Sequence, residues 1–267
     1  MKVGFLGAGK MAEAIASALV QSGQCDPRDV IACDTSEARR DLMAKLYKVA
    51  VTDCPLEAVR ACTVLVLAVK PQDLDALLAG IRKHLTAKHL LISIAAGKTL
   101  AALKKAAGAK PRIVRVMPNL ALAVQEGMSV YCAAPDAKPA DKRRVAQMFG
   151  CAGAVLELPE KHFDAVTALS GSGPAFFAYL LNAVVEAATA LKLPGDAARL
   201  LAEQTLIGTG IYLQNTGRDM GAFIQAVASP KGTTAAGLAV LEASGVKAIL
   251  AETLTAAAAR SAELRKG

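Results

Sequence analysis

The opening stretch, Val3-Gly4-Phe5-Leu6-Gly7-Ala8-Gly9-Lys10-Met11-Ala12, constrains the fold more than any other part of the chain. Lys2 to Leu6 is apolar and strand-like, and glycines follow at once. Lys10 to Gly23 then carries apolar residues at helical spacing and stops at a glycine. A strand that turns through glycines into a helix leaves the first-turn amides without intrahelical partners. The helix dipole adds positive potential at the same place, which suits an anion. Residues 7–12 also have the GxGxxA spacing. Gly7 permits the tight turn, Gly9 lets the backbone approach a pyrophosphate, and Ala12 keeps helix and strand close. The motif implies a dinucleotide site, with Lys10 and Met11 in its amide-bearing turn.

The chain continues in the same alternation. Asp29–Asp34, Cys62–Pro71, His89–Gly97 and Pro111–Asn119 read as buried strands. Ser36–Tyr47, Leu74–Leu85 and Leu100–Gly108 read as the helices between them, with Ser36 at an N-cap position. Continuous apolar strands alternating with helices predict an α/β domain, a doubly wound parallel-type sheet covered on both faces. Met128–Ala134, a helix over Lys142–Gly153 and Ala154–Pro159 finish it. From His162 the pattern is helical to the end, apart from Gly171-Ser172-Gly173-Pro174. The predicted division is therefore 1–160 as a dinucleotide-binding domain and 161–267 as an all-α domain.

Composition narrows the class. With 54% hydrophobic and 20% charged residues the chain is globular rather than disordered. The net charge of +8 permits anionic partners, but the basic residues are dispersed and Trp is absent, so no nucleic-acid partner is expected. Pro174–Val185, the longest strongly apolar stretch, is too short to span a bilayer. The first strand begins at Lys2, which leaves no room for a leader, so a cytoplasmic protein without a membrane partner is expected. The six cysteines form no CxxC pair and no histidine stands at ligand spacing, so no metal is expected.

Other strand ends supply further candidates. Asp34 ends the second strand, where an acidic residue accepts hydrogen bonds from the ribose hydroxyls of NAD. Ser36, Arg39 and Arg40 stand just beyond it and would suit a 2′-phosphate if Asp34 turned away, so NADPH and NADH both stay open. Ala68, Val69, Lys70 and Pro71 close one strand, and Ala95, Ala96 and Gly97 another. The small residues Ala68, Ala95, Ala96 and Gly97 would let ribose and nicotinamide lie against backbone. Lys70 is an edge residue or a phosphate contact rather than a catalytic base. Ser229-Pro230-Lys231-Gly232-Thr233-Thr234 opens a late helix, either as an ordinary N-cap or as a second anion site.

Taken together, GAGKMA, AVKP, AAG, RVMPN, SGSGPAF (Ser170–Phe176) and ASPKGTTAAGLAVLE (Ala228–Glu242) resemble the pyrroline-5-carboxylate reductase family over essentially the whole chain. The resemblance implies a Rossmann-like N-terminal domain and an all-α C-terminal dimerisation domain. It also implies NAD(P)H-dependent reduction of 1-pyrroline-5-carboxylate to L-proline. Homodimers interleave their helical domains, often as decamers of five dimers, and one chain's nicotinamide meets the partner's helical domain. The Ser229–Thr234 loop becomes the cradle for the small-molecule substrate. Amides of Gly232, Thr233 and Thr234 and the Ser229 hydroxyl would bind its carboxylate, and the Thr234 hydroxyl its ring nitrogen. Asn119, in RVMPN, becomes a cofactor contact.

The chain departs from the family pattern at several points. Leu120-Ala121 replaces the usual Thr-Pro after Asn119, Cys54-Pro55 stands where an Asn is common, and Lys231 replaces a glycine. A common proline near Met220 is missing. The departures at Leu120 and Ala121 leave two other readings: a catalytically weak paralogue that binds dinucleotide, or a reductase of a related cyclic imine.

Overall fold

The computed structural model describes residues 1–265; Lys266 and Gly267, the end of the predicted helical domain, lie outside the described residues. Eight strands form one sheet: β1 (Val3–Leu6), β2 (Val30–Cys33), β3 (Ala50–Thr52), β4 (Val64–Leu67), β5 (Leu90–Ser93), β6 (Arg112–Met117), β7 (Gly127–Ala133) and β8 (Gly153–Glu157). Their order is β3-β2-β1-β4-β5-β6-β7-β8, parallel throughout except for the antiparallel β6–β7 pair. The helices between strands are α1 (Lys10–Gln21), α2 (Glu37–Tyr47), α3 (Pro55–Ala61), α4 (Leu74–Ile81), α5 (Leu100–Ala107) and α6 (Pro139–Gly150). The strand order 3-2-1-4-5-6 is that of the Rossmann fold, with its reversal between β1 and β4.

The two faces of the sheet sort by residue parity. In β4, Val64 and Val66 join the core packed against α1 and α6. Leu65 and Leu67 join the core on the opposite face with residues of α3, α4 and α5. Both faces are dry, so these strands read as unbroken apolar runs rather than alternating ones. Two elements were not apparent in the sequence: β3, three half-exposed or exposed residues long, and α3, which starts at Pro55 and has only Ala58 and Val59 buried. Neither is long enough to show a period.

The remaining helices are α7 (Phe163–Val166), α8 (Gly173–Ala190), α9 (Gly195–Thr216), α10 (Met220–Val227), α11 (Thr233–Ala243) and α12 (Val246–Leu264). The expected break over Gly171–Pro174 narrows to Ser172, since Gly171 closes a helical turn and Gly173 and Pro174 open α8. Thr167–Gly171 forms a π-helical turn that runs from α7 towards α8, with Gly171 under the terminal methyl of Met117. The span Glu160–Ala190 is long and apolar enough to cross a bilayer by length and composition, with an 18-residue window of mean hydropathy 1.3. Reading Pro174–Val185 alone understated its length, because the glycines were taken as a stop.

Contacts divide the chain into Met1–Ser172 with the residues from Ala256 onward, and Gly173–Thr255. In the first unit the end of α12 is fastened to the residues around α7. Ser261 Oγ donates to Asp164 at 2.9 Å and Arg265 pairs with the same carboxylate at 3.2 Å. The second unit has almost no interior of its own, for Gly173 and Ala198 are its only buried residues. Tyr179, Leu191 and Leu200 are 76%, 82% and 67% exposed. Helices with so little buried apolar surface cannot offset the entropy of ordering their own chain.

Candidate functional site

The turn after β1 is built by hydrogen bonds at both of its ends. Gly7 N–H donates to Cys33 O at 2.8 Å, and Ala8 N–H donates to Asp34 Oδ2 at 2.7 Å. Gly7 has φ +99°, and a Cβ added there would stand 2.7 Å from the backbone of Ala68 and Val69. Only glycine satisfies both the left-handed conformation and the close approach of β4. Gly9 caps α1 by position without any side-chain bond, which leaves the first-turn amides of Lys10, Met11 and Ala12 open. Nothing lies within 4 Å of a Cβ built at Gly9. That open approach to a helix start is what a pyrophosphate requires.

A cavity of about 780 Å³ lies at the carboxyl ends of β1, β2 and β4. It brings together Gly7, Gly9, Asp34, Ser36, Ala68, Val69 and Lys70 from the residues expected in the sequence. Pro71 lines a different cavity with Gln72, Lys98 and Arg260. Ala95 and Gly97 are buried at the end of β5, with Ala96 half-buried, and these three residues do not line the 780 Å³ cavity. Asn119 also lies off it. Its Oδ1 accepts the Met128 N–H at 3.1 Å, tying the β6–β7 connection, where Leu120 and Ala121 open a 3₁₀ turn. Thr35, Asp53 and Asp73 also stand on the wall without having been singled out in the sequence, and Pro55, noted there only as a departure from the family pattern, joins them. Asp53 follows β3, and overlooking that strand concealed it.

The residues beyond β2 are strongly interlinked. Asp34 Oδ1 accepts the Ser36 N–H at 2.9 Å, so both carboxylate oxygens hold backbone amides. Arg39 Nε donates to Ala8 O at 2.7 Å, and its Nη2 pairs with Glu13 at 2.6 Å. Tyr47 OH donates to the other oxygen of Glu13 at 3.0 Å. Arg40 Nη1 donates to the carbonyls of Asp34 and Thr35 at 2.8 and 3.0 Å. Ser36 stands at the N-cap of α2, but its hydroxyl makes no capping bond.

In the second unit, α11 begins at Thr233 with Gly232 as its N-cap and no side-chain cap. Gly232 N–H donates to Ser229 O at 3.0 Å, and a Cβ at Gly232 would meet Ser229 Oγ at 2.3 Å. Lys231 is left-handed, with φ +59°. Ser229, Gly232, Thr233 and Thr234 thus form one tight turn whose leading amides are unclaimed by the helix.

Four buried cysteines, Cys25, Cys33, Cys62 and Cys132, have their thiols raised by burial and are not poised as nucleophiles. Burial pushes the Cys132 thiol up to about 12, and those of Cys33 and Cys62 up to about 11. Of the histidines, His89 is buried, its ring bonded to the Thr86 amide and the Val59 carbonyl.

Comparison with known proteins covers both parts of the chain. The family model described as pyrroline-5-carboxylate reductase dimerisation matches residues 160–264, and that described as NADP oxidoreductase, coenzyme F420-dependent, matches residues 2–97. A pyrroline-5-carboxylate reductase of Methanosarcina acetivorans is 38% identical over 99% of this chain and 98% of its own. This chain belongs to the pyrroline-5-carboxylate reductase family. An Arabidopsis thaliana member is 39% identical over 98% of this chain and 95% of its own. Among solved pyrroline-5-carboxylate reductases, that of Coxiella burnetii superposes with TM-score 0.94 at 32% identity, covering 100% of this chain and 99% of the other. A Plasmodium falciparum pyrroline carboxylate reductase with NADP bound gives 0.90 at 28% identity, covering 99% and 98%. The dimerisation match falls on the helices that lack an interior, so this reductase is an oligomer.

Proposed function

We propose that this protein reduces 1-pyrroline-5-carboxylate to L-proline with a nicotinamide dinucleotide. One observation carries the reading: identity to pyrroline-5-carboxylate reductases runs through the dinucleotide part and the dimerisation part alike, at 38% over 99% of the chain. The cavity fits the cofactor because its glycine turn leaves open backbone where any Cβ would intrude. When bound, the reduced nicotinamide supplies the hydride for the imine carbon.

The chain's own residues do the rest of the work by placement. The amides of Lys10, Met11 and Ala12, with the α1 dipole, hold the pyrophosphate, and Gly9 keeps the approach clear. Asp34 accepts ribose hydroxyls, Ser36 and Lys70 add polar contacts, and Ala68 and Val69 give an apolar wall. We assign Pro71, Ala95, Ala96, Gly97 and Asn119 to the nicotinamide side. The turn before α11 receives the substrate carboxylate through the amides of Gly232, Thr233 and Thr234 and the Ser229 hydroxyl. The Thr234 hydroxyl hydrogen-bonds the ring nitrogen and fixes the face presented to hydride. A protonated imine is already electrophilic, so orientation and electrostatic placement suffice without a strong protein acid.

We further propose a functional division into a dinucleotide-binding domain at 1–160 and a helical substrate-binding and dimerisation domain at 161–267. The assembly is a homodimer, with five dimers forming a decamer. A second copy, rather than lipid or nucleic acid, covers the exposed apolar helices, and the protein works in the cytoplasm. The test is a steady-state assay with pyrroline-5-carboxylate and each reduced dinucleotide. Turnover that drops by about two orders of magnitude in Thr234→Ala is expected, the scale of one lost transition-state contact. Cofactor binding without any imine turnover would replace this reading with that of a catalytically silent dinucleotide binder.

A further inference from the structure

We infer that the cavity selects NADH over NADPH and that Asp34 is the selecting residue, an inference that rests on the dinucleotide reading given above. The two cofactors differ only at the adenosine ribose, where NADH offers a hydroxyl donor and NADPH a phosphate carrying nearly two negative charges. What decides between them is the charge that the protein fixes beyond β2.

Asp34 cannot turn away from that position without loss. Its Oδ2 holds the Ala8 N–H at 2.7 Å and its Oδ1 the Ser36 N–H at 2.9 Å. Swinging the carboxylate aside would leave both amides without a partner, including the one inside the glycine turn. Each oxygen nevertheless keeps acceptor capacity, so the fixed carboxylate can still take a hydroxyl donor. Asp53, from the loop after β3, adds a second carboxylate to the same cavity wall.

The cations that could reverse this preference are each held in part by other protein groups. Arg39 lines the cavity, but its Nε is on Ala8 O and its Nη2 on Glu13. Arg40 gives Nη1 to the Asp34 and Thr35 carbonyls and is not among the residues on the cavity wall. Lys70 follows β4, on the other side of β1 from Asp34, which puts it beside the pyrophosphate path rather than the ribose; Asp73 lies three residues further on. The uncommitted hydroxyls of Thr35 and Ser36 could donate to a phosphate, but they carry no charge to offset two carboxylates. A 2′-phosphate here meets like charge, and a 2′-hydroxyl meets an acceptor.

Direct titration of the full-length protein with NADH and with NADPH tests this, read by nicotinamide fluorescence, which the absence of Trp leaves clear. The expected result is NADH binding at least about ten-fold tighter, the scale of one like-charge contact in a partly solvated cleft. Asp34→Asn keeps an oxygen for one amide and removes the charge, and should narrow the ratio to near unity. Equal or tighter NADPH binding by the wild-type protein overturns the selection. A ratio unchanged in a folded Asp34→Asn overturns Asp34 as its cause. Should that variant fail to fold, raising salt on the wild type from about 50 mM to about 1 M gives the same test. Screening should narrow the ratio, and a ratio that stays fixed or widens overturns the charge argument. Failure to bind either dinucleotide would instead overturn the proposed function.

Discussion

At the scale of single residues, two glycines in one turn have opposite requirements. Gly7 combines φ +99° with a Cβ position 2.7 Å from the β4 backbone. Gly7→Ala should therefore cost about 2 kcal/mol or more in urea unfolding, because backbone rather than a movable side chain must give way. Gly9 has φ −68° and free space around its Cβ position. Gly9→Ala should fold within about 0.5 kcal/mol of wild type yet lose dinucleotide binding, a separation that melting and cofactor titration would reveal. Lys231 gives the reverse case, a side chain at φ +59° in a conformation that glycine adopts without strain. Lys231→Gly should stabilise by about 0.5–1 kcal/mol in the same unfolding measurement, since relief of left-handed strain exceeds the added chain entropy.

At the scale of elements, two arginines of β6, Arg115 buried and Arg112 half-buried, organise the far half of the sheet. Arg115 on β6 is 2% exposed, pairs with Glu160 at 3.1 Å and lies 4.5 Å over the Phe163 ring. The same Glu160 oxygen accepts the Leu100 N–H at 2.7 Å, joining the start of α5 to the strand. Glu160→Ala should cost about 2 kcal/mol in urea unfolding, because a buried guanidinium is left without its carboxylate. Arg112 makes a similar pair with Asp141 at 2.7 Å. Burial pushes the Asp141 carboxyl up, but the Arg112 guanidinium and the Lys138 N–H outweigh it and hold its pKa below the usual carboxylate value. The pair therefore stabilises fully above about pH 4 and loses its contribution as pH falls through the lowered folded-state value. Comparing wild type with Asp141→Asn across pH 7 to pH 3 checks this. The gap in unfolding free energy should close on the acid side.

At the scale of the whole molecule, the proposed second copy would cover the helices of Gly173–Thr255, which bury little of their own surface. Phe177, Leu180, Val184, Leu201 and Leu206 line an apolar groove of about 600 Å³ formed by α8 and α9. Melting temperature should rise with protein concentration, as expected when only the oligomer is folded. Leu201→Glu should reduce the species seen by size-exclusion chromatography with light scattering to monomer or unfolded chain. An intact oligomer in that variant would show that the groove faces something else.

Much of the site was legible in the chain itself. A glycine turn between an apolar strand and a helix has few physical realisations, so residues 3–12 determined a Rossmann start, and the apolar runs of β4, β5 and β6 determined a sheet buried on both faces. The cavity-lining residues Gly7, Gly9, Asp34 and Lys70 followed from strand ends, because a parallel sheet brings its carboxyl ends to one edge. Short elements escaped, β3 and α3 having no period to read, and Asp53 escaped with them. The helical turn that carries Gly171 almost to the start of α8 escaped because a π turn leaves no compositional mark. What only tertiary structure could decide was the commitment of polar groups. The sequence placed Asp34, Arg39 and Arg40 near one ribose with opposing charges. The fold engaged both carboxylate oxygens with amides and Arg39 with Glu13. Hydrogen-bond partners are chosen by spatial proximity across elements far apart in sequence, and no local pattern encodes that choice.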